Sequence, residues 1–156
     1  MKILFISNGY PSSIYPSKTV FLQRLVNEIA DLGHICTVIA PNPIPKNHSI
    51  PEKYQMQKTQ LGKTVRVFIP NYLKIWFSAK IKKDPFKRIS FHNYYKTVLK
   101  TIKKEKIEFD IIYAHFLGAA AYSAVKIGKK KKLYQFLQQP EKAHFHILMN
   151  LIKYIQ

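Results

Sequence analysis

The sequence predicts an α/β fold in which a parallel, Rossmann-like sheet is flanked by helices. Two short apolar runs, Lys2–Ile6 and Thr37–Ala40, enclose a stretch in which apolar residues recur at helical spacing. Gly33 follows that stretch at the place where glycine commonly ends a helix. Strand, helix and strand in this order form a βαβ unit, and a crossover of this length makes the two strands parallel.

The loop after the first strand carries the candidate binding residues Asn8, Gly9 and Tyr10. In a parallel sheet this loop stands at the carboxyl edge, where open α/β sheets bind their ligands. We expect the helix to begin near Lys18 or Thr19, so that its first N–H groups would face a phosphate or another polar ligand. The loop has neither a G-x-G-x-x-G fingerprint nor a P-loop, and Gly9 can equally serve only to form the turn.

The first helix is expected to bury a single apolar stripe. Its members are Phe21, Leu22, Leu25, Val26, Ile29 and Leu32. Beyond this unit the pattern weakens: Asn42–Pro51 is predicted to be a loop and Val65–Phe68 a strand. Asn71–Pro85, which contains Trp76, is predicted to be a short amphipathic helix or a surface loop, acting either as core cover or as an interfacial membrane anchor.

The second half of the chain predicts a helix at Phe86–Lys106, a buried strand at Phe109–Ala114 and a helix at Ala119–Ile127 that Gly128 ends. The apolar stripe of the longer helix comprises Ile89, Tyr94, Tyr95, Val98, Leu99 and Ile102. His115 directly follows the strand, so a ligand-binding position at the same sheet edge is expected. A lone histidine is also commonly structural, and both interpretations remain open.

Composition indicates one folded domain, with 156 residues of which 47% are apolar. The single cysteine, Cys36, cannot form an intrachain disulfide, and neither a signal peptide nor a spanning segment is recognisable, so a cytoplasmic location is expected.

The 26 basic residues against 8 acidic ones leave a net charge of +18, which favours anionic partners. No nucleic-acid motif accompanies the lysines, and an AT-rich coding sequence would produce the same bias.

The chain resembles the N-terminal domain of the family 4 glycosyltransferases, which have the GT-B fold. The segments that carry this resemblance are MKILFIS at the start, Tyr10-Pro11, Phe21-Leu22-x-x-Leu25, and Gly33-His34 followed by Thr37–Pro41. Asp110–Phe116 is similar to the family segment D-x-I-H-x-H, with Tyr113 in place of its first histidine. At Lys18-Thr19 the sequence departs from the family, because many relatives carry glycines there.

The resemblance implies a retaining glycosyltransferase that moves a sugar from a nucleotide-sugar donor to a glycan or lipid-linked acceptor in cell-surface polysaccharide synthesis. It implies His115 as the catalytic residue, which would make a polar contact with the reacting sugar or acceptor. The substrate-binding residues would be Asn8, Gly9, Tyr10, Lys18 and Thr19. Neither a cofactor nor a metal is expected. Peripheral contact with the anionic inner face of the cytoplasmic membrane is expected, and nucleic acid is not.

The resemblance ends near Lys130, where the run Lys129–Lys132 implies consecutive adenines at which a reading frame easily shifts. If the third base of each codon is read with the first two of the next, the tail can spell I-P-I-F-A-T-T-G-E-S-T, the strand that relatives have here. We therefore expect residues 1–132 to form the acceptor-side domain, with an incomplete sheet and little activity, and Leu133–Gln156 to be an out-of-frame tail. The alternative is a genuine helix, since apolar residues of the tail also fall at helical spacing.

Two other functions are compatible with the residues. A stand-alone basic module would bind anionic membrane or nucleic acid, and its binding would depend strongly on salt. Another Rossmann-like enzyme is a weaker alternative, because the glycine fingerprint of dinucleotide-binding folds is missing.

Overall fold

The computed structural model describes residues 1–44, 53–75, 85–131 and 134–138. Within these ranges the chain forms, in order, β1 Lys2–Ser7, α1 Val20–Asp31, β2 Ile35–Ile39, β3 Asn42–Pro43, β4 Tyr54–Lys58, β5 Thr64–Phe68, β6 Asn71–Tyr72, α2 Pro85–Lys104, β7 Ile111–His115, α3 Ala119–Lys131 and β8 Tyr134–Gln138. The predicted mixed α/β architecture is confirmed.

The central sheet has six strands in the order β4-β5-β2-β1-β7-β8. All neighbours are parallel except β4, which pairs antiparallel with β5 at one edge. From β1 the chain crosses to β2 on one side, and β7 and β8 lie on the other. The order of the strands therefore reverses between β1 and β7, and ligands of open α/β sheets bind at such a switch point.

Both faces of β1 are buried, which explains its continuous apolar sequence. Ile3 and Phe5 point to the side on which α1 packs, whereas Leu4 and Ile6 point to the side of α2 and α3. Because strand side chains alternate between faces, one short strand supplies two cores. The predicted parallel pairing with β2 is confirmed, with Ile6 opposite Ile39.

Helix α1 follows the prediction with two exceptions. Leu22, Val26 and Ile29 are buried against the sheet, and Gly33 takes a left-handed φ of 92° directly after the helix, as expected. Phe21 and Leu32 were predicted to be core residues and are exposed instead. Phe21 lies about 100° around the helix from Leu22, and Leu32 is the capping residue beyond the last turn.

Helix α2 buries a stripe that differs slightly from the predicted one. Tyr94, Val98 and Ile102 are buried, but the predicted core residue Ile89 is exposed. Its neighbour Ser90 faces inward, where its hydroxyl accepts a hydrogen bond of 3.1 Å from the N–H of Ile75. The stripe therefore runs at intervals of four residues and leaves Ile89 outside it.

Helix α3 continues through Gly128, which was predicted to end it. Ala120, Ala124 and Ile127 are buried in the core shared with α2. This packing outweighs the cost of a glycine in a helix, which is about 1 kcal/mol. The prediction failed because glycine ends a helix reliably only where its φ is positive, and that of Gly128 is not.

The predicted strand before Pro70 is β5, and the preceding residues form its hairpin partner β4 around Gly62, whose φ is 76°. The first two residues of the predicted loop Asn42–Pro51 form β3, which pairs with β6. Residues 45–52 and 76–84 lie outside the described part of the chain, and with them the membrane anchor predicted around Trp76.

Strand β8 lies within the region predicted to be an out-of-frame tail and pairs with β7, with Tyr134 opposite Ile111. Residues 139–156 lie outside the described part. Among the described residues, no helix is both long enough and apolar enough to cross a bilayer.

Candidate functional site

The candidate site is the crevice at the carboxyl ends of β1 and β7. Ser7 and His115, the last residues of these strands, lie opposite each other in the sheet. The two loops that follow also meet: Asn8 Nδ2 is 3.4 Å from the position that a Cβ on Gly118 would occupy. Asn8 is exposed, so its amide is available at the mouth of the crevice.

The end of β1 is held by two sets of hydrogen bonds. The Ser7 hydroxyl donates to the carbonyl oxygen of Gly9 at 2.8 Å and accepts from its N–H at 3.3 Å, which closes a tight local turn. The buried hydroxyl of Tyr94 donates to the carbonyl oxygen of Ser7 at 2.7 Å. Helix α2 thus fixes the position at which the candidate loop begins.

The side chain of Lys18 passes over Gly9. A Cβ at this position would overlap Cε of Lys18, although the backbone of Gly9 is not left-handed. Forming a turn is therefore not the only reason for a glycine here. Its missing side chain lets Lys18 fold back across the loop.

Lys18 brings a partly desolvated positive charge to the crevice. Burial lowers the pKa of the half-buried Lys18 ammonium, and the like charge of Lys74 lowers it further. The pKa of Lys74 is itself lowered by burial. Lys18 Nζ also lies 5.5 Å from the ring centre of Tyr15. The Lys18 ammonium favours an anionic ligand, because an anion would offset its lost hydration and the repulsion from Lys74.

Thr19 stands at the start of α1 in a left-handed conformation, with φ 59° and ψ 39°, and its side chain makes no capping hydrogen bond. A β-branched residue rarely adopts this conformation. Strained backbone of this kind is often found at functional sites.

We expect Thr19→Gly to raise the free energy of unfolding by about 1 kcal/mol, because glycine removes the left-handed strain. Urea unfolding followed by circular dichroism measures the change. Thr64→Gly, in strand β5, is the control and should lower stability, because no strain is relieved there. If Thr19→Gly were as destabilising as Thr64→Gly, strain at Thr19 would be ruled out.

His115 lies beneath aromatic rings and is only 2% exposed. Its ring is 4.9 Å from that of Phe21 on α1 and 4.2 Å from that of Phe116, measured between centres. Phe116 has a φ of 73°, unusual for a bulky residue, and this turns the chain sharply out of β7. Phe21, which is 48% exposed, is therefore one of two rings that pack against the His115 imidazole.

We expect Phe21→Ala to make His115 reactive towards diethyl pyrocarbonate. In the unmodified chain the exposed His92 should be labelled and His115 protected. Removing the Phe21 ring uncovers the imidazole, and peptide mass spectrometry locates the label. Leu32→Ala, which removes another exposed apolar side chain near the end of α1, should leave His115 protected. Continued protection in Phe21→Ala would show that Phe21 is not what covers His115.

The structure does not bring every predicted site residue to the crevice. Tyr10 is buried in the core on the α1 side, and its hydroxyl donates to Gln57 Oε1 at 3.1 Å. Phe21 does lie at the crevice, against His115, and the charge of Lys74 acts on Lys18; neither residue was predicted. No local signal identifies them, because Phe21 belongs to an apolar helical stripe and Lys74 is one lysine among many. No cluster of three or more metal-binding side chains occurs among the described residues.

No model of a known protein family matches this chain. It is similar to a protein of Bacillus subtilis (strain 168) that carries the provisional name teichuronic acid biosynthesis glycosyltransferase TuaC. The two are 37% identical over 135 residues, which covers 78% of this chain and 32% of the relative. The chain thus spans about a third of the length of the curated relative that it matches. This similarity, together with a parallel α/β sheet that fits the N-terminal half of a GT-B enzyme, identifies the chain as a relative of a glycosyltransferase.

Proposed function

We propose that this chain is the acceptor-side domain of a GT-B glycosyltransferase that transfers a sugar from a nucleotide-sugar donor to a glycan or lipid-linked acceptor. The similarity to a glycosyltransferase over 78% of the chain carries the proposal. Because the chain spans about a third of that relative, transfer is proposed for the whole enzyme rather than for this domain by itself. The relative's name refers to teichuronic acid biosynthesis, and we propose polysaccharide assembly here as well.

The crevice suits one wall of such a site. Lys18 supplies a positive charge that the donor diphosphate would neutralise, and Asn8 supplies an exposed amide for sugar hydroxyls. We propose His115 as the catalytic residue that contacts the reacting sugar or acceptor once Phe21 has moved. We propose that the N–H groups at the start of α1, which follows Thr19, face the same anion.

Titration of the chain with UDP-glucose, UDP-N-acetylglucosamine and UDP, followed by nuclear magnetic resonance, tests this proposal. We expect saturable binding that shifts the backbone resonances of Asn8, Gly9 and Gly118. Lys18→Gln should weaken binding, whereas Lys63→Gln in the β4–β5 turn removes the same charge and should have no effect. Binding that is equal in both variants and disappears at high salt would contradict the proposal, because it would indicate only a general attraction of anions.

We further propose that Leu133–Gln156 is translated out of frame. The support is that the shifted codons can spell a strand of the family from the point at which the resemblance stops. Sequencing of the transcript across the codons for Lys129–Lys132 tests this, together with mass spectrometry of the expressed protein. A tryptic peptide LYQFLQQPEK in the native protein, from a transcript without a shift, would show that the frame is genuine.

A second candidate function, docking on an anionic membrane, is favoured by the exposed side of α2. Lys96, Lys100, Lys103 and Lys104 line one side of this helix, which we call the basic face, and Lys53 lies beside it. Glu105, which is 3.1 Å from Lys104, is the acidic residue there. Basic residues near an anionic bilayer each contribute about 1 kcal/mol of attraction.

We expect the double variant Lys100→Gln, Lys103→Gln to bind phosphatidylglycerol vesicles roughly 30-fold more weakly, as two lost contributions of about 1 kcal/mol imply. Vesicle co-sedimentation measures this, with phosphatidylcholine vesicles as the neutral reference. Lys58→Gln, Lys63→Gln changes the net charge equally and should bind like the unmodified chain. If duplex DNA binds as tightly and loses as much in the first variant, the basic face attracts polyanions in general and membrane docking is refuted.

A further inference from the structure

A second cleft lies on the α1 side of the sheet, next to the candidate loop but away from the crevice. It has a volume of about 320 Å³, within the range of small-molecule sites. Three elements form it: the loop after β1, helix α1 and the edge strand β4. The lining side chains that matter are Pro11, Ser12, Pro16, Gln23, Gln55 and Gln57.

None of the residues that line this cleft is ionisable. In a chain of net charge +18 this is unusual, and three other cavities formed by described residues are each lined by three or four basic side chains. A neutral cleft in so basic a protein discriminates against phosphates and carboxylates, which bind more favourably elsewhere on its surface. Its chemistry suits an uncharged, hydrogen-bonding ligand.

The glutamines are held in place by a polar ladder between α1 and β4. Gln23 Nε2 donates to Gln57 Oε1 at 3.1 Å, Gln57 Nε2 donates to Asn27 Oδ1, and Thr59 donates to Asp31. The helix residues are four apart and so rise about 6 Å each. The strand residues are two apart and rise about 6.7 Å. These repeats match, so consecutive rungs can form without distortion.

The ladder leaves hydrogen-bond acceptors on two of the side chains that line the cleft. Gln55 Nε2 donates to the carbonyl oxygen of Pro11 at 2.8 Å, so this amide, like that of Gln23, is anchored through its nitrogen. No described residue donates to Oε1 of Gln23 or Gln55. Fixed carbonyl oxygens of this kind accept hydrogen bonds from hydroxyl groups and lose little side-chain entropy on binding. The rings of Pro11 and Pro16 add rigid apolar walls for the C–H faces of a sugar.

We infer that this cleft binds a neutral hexose unit of the acceptor glycan, through Oε1 of Gln23 and Gln55 between the two proline rings. The identity of that glycan as an acceptor rests on the proposed function. The loop continues from the cleft through Tyr10 to Gly9, so a single loop contributes to both the cleft and the crevice. Tyr10, which donates to Gln57, joins the two places from within the core.

The inference is tested with the full chain labelled with nitrogen-15 and titrated with methyl β-D-glucopyranoside and methyl α-D-mannopyranoside. We expect at least one of the two to shift the side-chain amide resonances of Gln23, Gln55 and Gln57 saturably. Gln60, in the exposed β4–β5 turn, is the internal reference and should not shift. D-glucuronate should bind about tenfold more weakly than glucoside, because the described residues that line the cleft include no cation to pair with its carboxylate.

Variants locate the site. Gln23→Leu and Gln55→Leu should each weaken binding about tenfold, the loss of roughly one hydrogen bond. Gln60→Leu should bind like the unmodified chain. The wild-type titration stands even if a variant fails to fold. The inference is overturned if neither glycoside shifts these amides, or if Gln60 shifts with them.

The two titrations separate this inference from the proposed function. If nucleotide sugars bind at the crevice but glycosides do not bind, the glycoside site in the cleft is refuted and the proposed function stands. If glycosides bind but nucleotide sugars do not, only the proposed function is refuted.

Discussion

Replacement of Tyr94 by alanine should lower the free energy of unfolding by about 3–5 kcal/mol, as truncation of a large buried ring does. The ring is 1% exposed and packs between α2 and the sheet, with the ring of Tyr72 at 5.2 Å between centres. Its hydroxyl also donates to the carbonyl oxygen of Ser7, so alanine leaves both a cavity and a buried acceptor without its donor. Few other single changes should cost as much.

Tyr94→Phe separates these two contributions. It keeps the ring and should cost about 1–3 kcal/mol, the penalty of an unsatisfied buried carbonyl. Tyr95→Phe is the matched control, since Tyr95 is buried next to it and no described hydrogen bond uses its hydroxyl. Urea unfolding measures all three variants. Equal losses in Tyr94→Phe and Tyr95→Phe would show that the bond to Ser7 contributes nothing.

The pH dependence of stability gives an independent check on Tyr94. Burial raises the pKa of its hydroxyl well above the ordinary value, so the folded state keeps the proton while the unfolded state loses it above about pH 10. The unfolded chain then binds fewer protons than the folded one, and stability falls as pH rises. Tyr94→Phe should show a shallower fall in this range than the unmodified chain.

Gly9→Ala, in contrast to the Tyr94 variants, should have a small effect on stability and a large effect on the binding of UDP-sugars. The added methyl group meets Lys18 Cε, the far end of a flexible side chain that can move away. The ammonium group then leaves the crevice, and one charge-assisted contact to a bound diphosphate is lost. Such contacts contribute about 1.5–3 kcal/mol, so UDP-sugar affinity should fall roughly 10- to 150-fold.

Gly62→Ala is the natural counterpart of that variant. Gly62 has a φ of 76° and open space around its Cβ position, so alanine there is strained but displaces nothing. It should lower stability and leave UDP-sugar binding unchanged. Thermal unfolding and the nucleotide-sugar titration are performed on both variants. Gly9→Ala should lose mainly affinity, and Gly62→Ala should lose only stability. If Gly9→Ala bound UDP-sugar normally, Lys18 would not belong to the donor site.

Much of the architecture was predictable because its signals are local. The βαβ unit, helix α2 and strand β7 each carry an apolar pattern that fits one element, and their bounds agree with the prediction within a few residues. Ile89, Phe21 and Gly128 were predicted wrongly for a shared reason. Ile89 and Phe21 are each next in sequence to a buried residue of their helix, and Gly128 lies inside a packed helix. In all three cases, packing against other elements of the fold decides the outcome.

The crevice was predictable in outline only. The carboxyl edge follows from parallel strands, and Asn8, Gly9, Lys18 and His115 could be placed there from sequence alone. The cover that Phe21 forms over His115, and the proximity of Lys74 to Lys18, join residues more than fifty positions apart. Contacts between residues so far apart in the sequence cannot be predicted from the local pattern of residues.

The sequence by itself determined the α/β class, the parallel pairing of β1 with β2 and the sheet edge at which the candidate site lies, because periodicity and crossover length act over short stretches. The tertiary structure decided that Gly9 makes room for Lys18, that Tyr10 faces the core, and that the glutamines of α1 and β4 form one ladder. These features arise where separate elements meet, and their geometry is set by packing between elements rather than by any stretch alone.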